Sequence, residues 1–298
     1  MSFSSDIKAV ITAGEYKNSC CRRALLSAML FTKADIRGAC VELSLSDRGA
    51  VELSERLIKE FYSCEPTPST SSQGGRRRLV SFKSKSCRHT VEDFNAGAKK
   101  LNDFIKCPAC QSAILRGIFV SAGTVSNPNE QFCLEINPSF RENQLYETLS
   151  TLGIGFHISK KRQGDGYRTV LYTKRQSVIE DFFSMASLEQ VTYDVINVGI
   201  QKDFNNRVNR LTNVEIKNIQ RTVERSREVC ELIRDLIDKK LISSLSDELA
   251  YTARIRLEYA DAPLTLLASY HTPPITKSGL SHRLSKIMKL GKELLQKK

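Results

Sequence analysis

Between Ser246 and Leu290 the apolar residues recur at helical spacing and are interrupted twice, which predicts three helices. Leu249, Ala253, Ile255, Leu257 and Tyr259 mark the first. Leu264, Leu266, Leu267 and Ala268 mark a short second one, opened by Pro263, whose missing N–H costs nothing there. Pro273 and Pro274 then break the chain, and Thr276 is placed to cap the third helix. In that helix Leu280, Leu284 and Ile287 share one face, with Met288 beside them. Lys277, Ser278, Ser281, His282, Arg283, Lys286 and Lys289 fall opposite. Upstream, Ile216, Ile219, Val223, Ser226, Cys230, Ile233 and Ile237 alternate steps of three and four along a long helix, a stripe that predicts packing against a core or another helix.

The first two thirds of the chain contain a repeat. Residues 1–19 read as a lead-in helix. Cys21-Arg-Arg-Ala-Leu-Leu-Ser-Ala-Met-Leu-Phe-Thr-Lys-Ala34 then aligns with Cys110-Gln-Ser-Ala-Ile-Leu-Arg-Gly-Ile-Phe-Val-Ser-Ala-Gly123. Each is followed by a strand-like segment, Cys40–Ser44 or Cys133–Asn137, and then by a helix, about 50–62 or 140–152. Further strands are predicted at 79–83, 154–159 and 169–172, with closing helices near 91–101 and 178–185. Residues 20–186 therefore read as two copies of an α-β-α-β-α unit related by an approximate two-fold. Small residues recur four apart in the paired helices, Ala24 and Ala28 in one and Ala113 and Gly117 in the other, so they share a face and predict close helix–helix packing.

Charge turns this architecture towards a partner. The net charge of +12 and pI near 9.3 favour a polyanion. From Lys277 onward the cations Lys277, Arg283, Lys286, Lys289, Lys292, Lys297 and Lys298 face a single acid, Glu293, and are interleaved with hydrogen-bonding side chains. A short helix, a tight turn and a basic third helix form the layout of a helix-turn-helix reader of the DNA major groove. The candidate DNA-binding residues are thus Thr276, Lys277, Ser278, Gly279, Ser281, His282, Arg283, Lys286 and Lys289, with Ser278 and Gly279 small enough for close approach to the duplex. A capping or core-edge role competes for His282. Arg207, Arg210 and Arg221 in an Asn/Arg-rich run, and Arg76, Arg77 and Arg78 after the Pro/Ser/Gly-rich loop 66–75, are candidate phosphate contacts. No apolar run reaches membrane-spanning length and the N-terminus lacks a secretion pattern, so a cytoplasmic protein without a membrane partner is expected.

In that compartment the nine cysteines are expected as reduced thiols. Cys107 and Cys110 form a CxxC, and with Cys20 and Cys21 they would make a four-thiolate zinc site if the fold gathered them. A vicinal pair is not a normal ligand spacing, so neither a metal nor a cofactor is expected.

Leu115-Arg-Gly-Ile-Phe-Val-Ser-Ala-Gly123 resembles a degenerate LAGLIDADG motif of homing endonucleases, and Leu26-Ser-Ala-Met-Leu-Phe-Thr-Lys-Ala34 a more degenerate copy. The resemblance implies two motif helices packed side by side with a metal-binding acid at the eighth position of each. Here those positions hold Lys33 and Ala122, which offer no oxygen to a hard cation; Asp35 is a candidate displaced acid, with no acidic counterpart in the second repeat, where Thr124 stands. Further on, NRVNRLTN at 206–213 and PPITKSGLSHRL at 273–284 make the whole chain similar to the WhiA family of bacterial regulators. That resemblance implies an α+β protein: a pseudo-two-fold LAGLIDADG-like αββαβα repeat domain at 20–190, a linker at 191–213, and an all-α helix-turn-helix domain at 214–298. It implies a non-enzymatic DNA-binding regulator with roles in transcription, cell division, chromosome segregation and, in sporulating bacteria, sporulation. The implied partner is double-stranded DNA, with RNA polymerase or another regulator as a further partner and the oligomeric state open. The competing readings are an endonuclease with residual metal-dependent activity and an adaptor docking on a protein.

Overall fold

The computed structural model describes residues 2–70, 78–164 and 166–296. Its contacts divide the chain into two compact units, Met1–Asp203 and Phe204–Lys298.

The first unit opens with α1 (Phe3–Ala13), whose N-terminus is capped by the Ser2 side chain. The first repeat follows as α2 (Ser19–Lys33), β1 (Ala34–Arg37), β2 (Cys40–Leu45), α3 (Arg48–Tyr62), β3 (Thr67–Thr70), β4 (Arg78–Phe82) and α4 (Lys85–Asn95). The second is α5 (Pro108–Ala122), β5 (Gly123–Val125), β6 (Leu134–Ile136), α6 (Glu142–Thr151), β7 (His157–Gln163), β8 (Gly166–Thr173) and α7 (Gln176–Met185). Each repeat builds a four-stranded antiparallel sheet, in the orders β1-β2-β4-β3 and β5-β6-β8-β7. Strand β2 alternates strictly, with Val41, Leu43 and Leu45 buried, and its register sets Val41 against Phe82 and Leu43 against Val80.

The α+β class holds, but each repeat is αββαββα. The αββαβα expectation falls one strand short in the second pair, where β3 of the first repeat lies in the stretch expected as a Pro/Ser/Gly-rich loop. Strands β1 and β5, for which no segment was predicted, are short and carry no turn signal ahead of them: Ala34 and Gly123 each cap a motif helix and start a strand in the same step. The last strand pair of the second repeat begins at His157 rather than at Ile154, and α4 stops at Asn95, ahead of Gly97 with its positive φ.

Helices α2 and α5 form the spine of this unit, pressed together along their small residues. Ala24, Ala28, Ala113 and Gly117 are all buried. A Cβ built on Gly117 would lie 2.5 Å from the Leu25 carbonyl oxygen and 2.8 Å from the Ala28 Cβ. One turn on, the buried hydroxyls of Thr32 and Ser121 hydrogen-bond across the interface at 2.8 Å. The C-terminus of α2 is closed by an arginine from the other repeat. Arg141 donates from Nε to the Phe31 carbonyl (2.7 Å) and from Nη2 to those of Leu30 (3.1 Å) and Ala34 (2.7 Å). Burial lowers its pKa to about 10, opposed by the nearby Asp35 carboxylate, so the guanidinium stays charged at neutral pH and faces the negative end of the helix dipole. Replacing Arg141 with Ala orphans those carbonyls and is expected to cost about 3 kcal/mol, read as a shift in the urea midpoint of this unit's unfolding.

Helix α8 (Glu189–Asp238) is continuous, and the division between the two units falls within it. Residues 191–213 are therefore helical where an irregular linker was expected. Their Asn and Arg side chains from Asn205 to Asn213 are exposed, so they compete with no backbone bond. The apolar stripe on α8 also divides. Cys230 and Ile233 are buried as expected, whereas Ile219 and Val223 are 64% and 59% exposed.

In the second unit α8 is followed by α9 (Asp247–Glu258), α10 (Leu264–Ser269) and α11 (Lys277–Gln296). Val229, Ile233 and Leu236 of α8 pack with Leu249 and Ala253 of α9, Leu267 of α10, and Leu280, Leu284 and Ile287 of α11 in one core. Arg256 is buried at its edge and donates to the carbonyls of Ala260 (2.8 Å) and Ala262 (2.9 Å), fixing the turn into α10. Among the described residues no helix is long and apolar enough to cross a membrane.

Candidate nucleic-acid interface

Helix α11 starts where the sequence predicts. The Thr276 hydroxyl accepts from the Gly279 N–H at 3.0 Å, closing the first turn. Its inner face is fixed by Leu280, Leu284 and Ile287, and by Gly291, where an added Cβ would meet the Leu232 side chain at 2.5 Å. That orientation leaves Lys277, Ser278, Ser281, His282, Lys286, Lys289 and Lys292 exposed. At 100° per residue Ser278, Ser281, His282, Ser285 and Lys289 occupy the middle of the exposed arc, with cations along it. Ser285, one turn beyond Ser281, joins this arc although it is not among the residues expected from sequence.

Three of the expected contacts sit differently. Thr276 commits its hydroxyl to the cap. Gly279 is half-buried at the margin of the arc, and its N–H serves the same cap. Arg283 turns back along the unit and pairs with Glu248 of α9, its side chain 23% exposed. Its alternation places it on the flank beside the apolar face, where an acid from the neighbouring helix captures it. His282 is exposed, neither a cap nor a core-edge residue.

The connection from α10 to α11 runs from Tyr270 to Thr276 and is longer than the tight turn expected. His271 fills its inside. It is 2% exposed, with Nδ1 donating to the Leu267 carbonyl (3.0 Å) and Nε2 lying 3.2 Å from the Thr252 hydroxyl. Nothing in the local sequence pattern marks that histidine as internal.

Arg207, Arg210 and Arg221 are exposed on α8. Arg221 and Arg225 line a cleft of about 240 Å³ that Ser281 and Ser285 of α11 also line, which brings two α8 cations to the edge of the serine-rich face. Arg78 is half-buried at the start of β4; Arg76 and Arg77, like Lys297 and Lys298, lie outside the described residues. The β7–β8 hairpin adds cations that single-residue reading passed over: Lys160, Arg162 and Arg168 are exposed, near the 75%-exposed Tyr167.

The C-terminal ends of α2 and α5 hold the other position of interest. Lys33 donates to the Asn137 carbonyl at 2.5 Å and to the Ser139 hydroxyl at 3.3 Å. It lines a cavity with Lys8, Ala122, Thr124, Glu135 and Arg168. Burial pushes the Lys8 ammonium below its ordinary range, against the pull of Asp47. Glu135 is paired with Lys161 at 2.5 Å, and Asp35 with Arg37 at 3.0 Å. The balance of charge at this cavity is cationic, opposite to what a hard divalent ion needs. The four cysteines are a different matter, for the fold gathers Cys20, Cys21, Cys107 and Cys110 into one cluster despite the unpromising spacing.

Two family models match the chain: the WhiA C-terminal HTH domain over residues 208–291, and the WhiA LAGLIDADG-like domain over residues 111–205. Over 314 aligned positions the chain is 29% identical to a "Probable cell division protein WhiA" of Caldicellulosiruptor saccharolyticus, covering 99% of this chain and 96% of that one. A protein of the same description from Clostridium botulinum is 30% identical over 212 positions, 70% of this chain and 66% of its own. Among solved structures, full-length DUF199/WhiA from Thermatoga maritima aligns with a TM-score of 0.57 at 20% identity, covering 98% of this chain and 99% of that one, a likeness of fold.

Proposed function

The chain belongs to the WhiA family, and from that premise we propose that it is a DNA-binding regulatory protein acting in cell division, with α11 entering the major groove. The observation that carries this reading is the outward arc of α11, where serines, His282 and lysines are exposed together on a helix fixed from behind by a folded core. Ser278, Ser281, His282 and Ser285 are assigned to base edges together with Lys277, and Lys286, Lys289 and Lys292 to phosphates. Arg207, Arg210 and Arg221 continue the phosphate track along α8. Arg283 is assigned to holding α11 on α9.

The regulation proposed is of transcription, with chromosome segregation and, in a sporulating host, sporulation among its outcomes, carried out in the cytoplasm at the nucleoid. The LAGLIDADG-like unit is assigned no nuclease activity, on the cationic lining around Lys33 and Ala122. The test is the binding of full-length protein to duplex fragments across a salt series, with supercoiled plasmid and Mg²⁺ as a parallel arm. A steep linear fall of log K with log salt and intact plasmid support the reading; salt-independent binding or cleavage refutes it.

A protein partner, RNA polymerase or another regulator, is favoured alongside DNA by one feature. Phe204, Leu211 and Val214, at 66%, 62% and 57% exposure, lie on one side of α8. Loss of co-purified polymerase from a Phe204→Ser, Leu211→Ser variant that still binds DNA is the expected result.

A further inference from the structure

Cys20 and Cys21 lie in the first turn of α2. Cys107 is the N-cap of α5, and Cys110 is in its first turn behind Pro108. Their sulfurs all fall within 4.8 Å of one another. The Sγ–Sγ separations are 3.5 Å for Cys107–Cys110, 3.5 Å for Cys21–Cys107, 3.7 Å for Cys20–Cys107 and 3.9 Å for Cys21–Cys110. A disulfide would need about 2 Å. A metal ion 2.3 Å from each of four tetrahedral sulfurs sets the sulfurs about 3.8 Å apart, close to the separations here.

We propose that Cys20, Cys21, Cys107 and Cys110 bind one structural zinc ion, which ties the N-terminal ends of the two motif helices together. The donor set is soft, which selects zinc and disfavours magnesium. Four sulfurs complete a tetrahedron and leave no open position for water or substrate, so the role is structural. Cys21 and Cys110 are buried and Cys20 and Cys107 half-buried, so the inner side of the site is covered and the outer side reaches the surface. A zinc with four thiolates carries two net negative charges. Arg23, Lys99 and Lys106, with the single acid Asp103, line the surface cavity beside Cys20, a net positive charge that opposes them.

The vicinal pair is accommodated because the start of α5 lies against the start of α2, so that both Cys20 and Cys21 reach Cys107. The site is a helix length, about 20 Å, from Lys33 and Ala122 at the other end of α2 and α5, so it implies nothing about DNA cleavage. Among the described residues this is the only group of three or more Cys, His, Asp or Glu side chains near enough to share an ion.

The experiment uses full-length protein, reduced and stripped by chelator under anaerobic conditions, then titrated with Co(II) and afterwards with Zn(II). The expected result is one equivalent of Co(II) with the intense visible absorption of tetrahedral thiolate coordination, displaced by one equivalent of Zn(II) with a rise in thermal midpoint. Cys110→Ser should abolish the absorption, and Cys20→Ser, at a half-buried position, should weaken binding tenfold or more while the circular dichroism stays native. Cys64→Ser and Cys230→Ser should leave binding unchanged. Folded, reduced wild-type protein that binds well below one equivalent overturns the proposal. So does Co(II) bound without thiolate absorption, or a natively folded Cys20→Ser that binds as wild type.

Discussion

Gly117→Val is expected to unfold the first unit. The new Cβ alone would stand 2.5 Å from the Leu25 carbonyl oxygen, and that oxygen belongs to helix backbone and has no rotamer to escape into. Even Gly117→Ala sets two effects against each other. Helix propensity gains about 1 kcal/mol. Prising α2 from α5 costs about 3 kcal/mol, because overpacking adds to loss of the Thr32–Ser121 hydrogen bond. The clash wins by about 2 kcal/mol, and valine exceeds the margin by which a domain of this size is stable. Urea denaturation followed by circular dichroism checks the alanine variant. Gly155→Ala, where an added Cβ meets nothing within 4 Å and φ is not positive, is the control, expected within about 0.5 kcal/mol of wild type.

Replacing Lys286, Lys289 and Lys292 together with alanine is expected to lower affinity for duplex DNA about a hundredfold at fixed low salt and to reduce the salt slope by about three. All three are exposed and lie away from Leu280, Leu284 and Ile287, so the thermal midpoint should hold. Fluorescence anisotropy with one labelled fragment at several salt concentrations reads both quantities. An unchanged slope would remove these lysines from the phosphate track.

What could be read from sequence follows from where periodicity speaks. The repeat was legible because each motif helix presents small residues four apart, and only close packing explains that spacing in two places. The three C-terminal helices were legible because prolines punctuate them. The β1 and β5 strands were not, since each continues from a motif helix without a break. The linker was misjudged because an Asn/Arg-rich composition suits irregular backbone, yet the same side chains are harmless on an exposed helix. The stripe on α8 has one period throughout, but sequence cannot say where along it a partner ends; burial stops above Val229.

At the interface, the alternation of α11 placed Ser278, Ser281, His282 and Lys286 on an open face. Alternation could not reveal that Glu248 of another helix would take Arg283, an ion pair between residues far apart in the chain. The cysteines show the same limit more sharply. Spacing rules describe ligands offered by one loop, whereas here two helix starts, brought together by the packing at Gly117, supply two sulfurs each.

The claim on which the functional account turns is that the outward arc of α11 lies in the groove. The direct measurement is site-specific photo-crosslinking from position 282 in the full chain bound to duplex DNA. Crosslinks from 282 that map to bases, with none from a probe at Arg48 on α3, are the predicted result. DNA bound at full affinity with no base crosslink from 282 would contradict it.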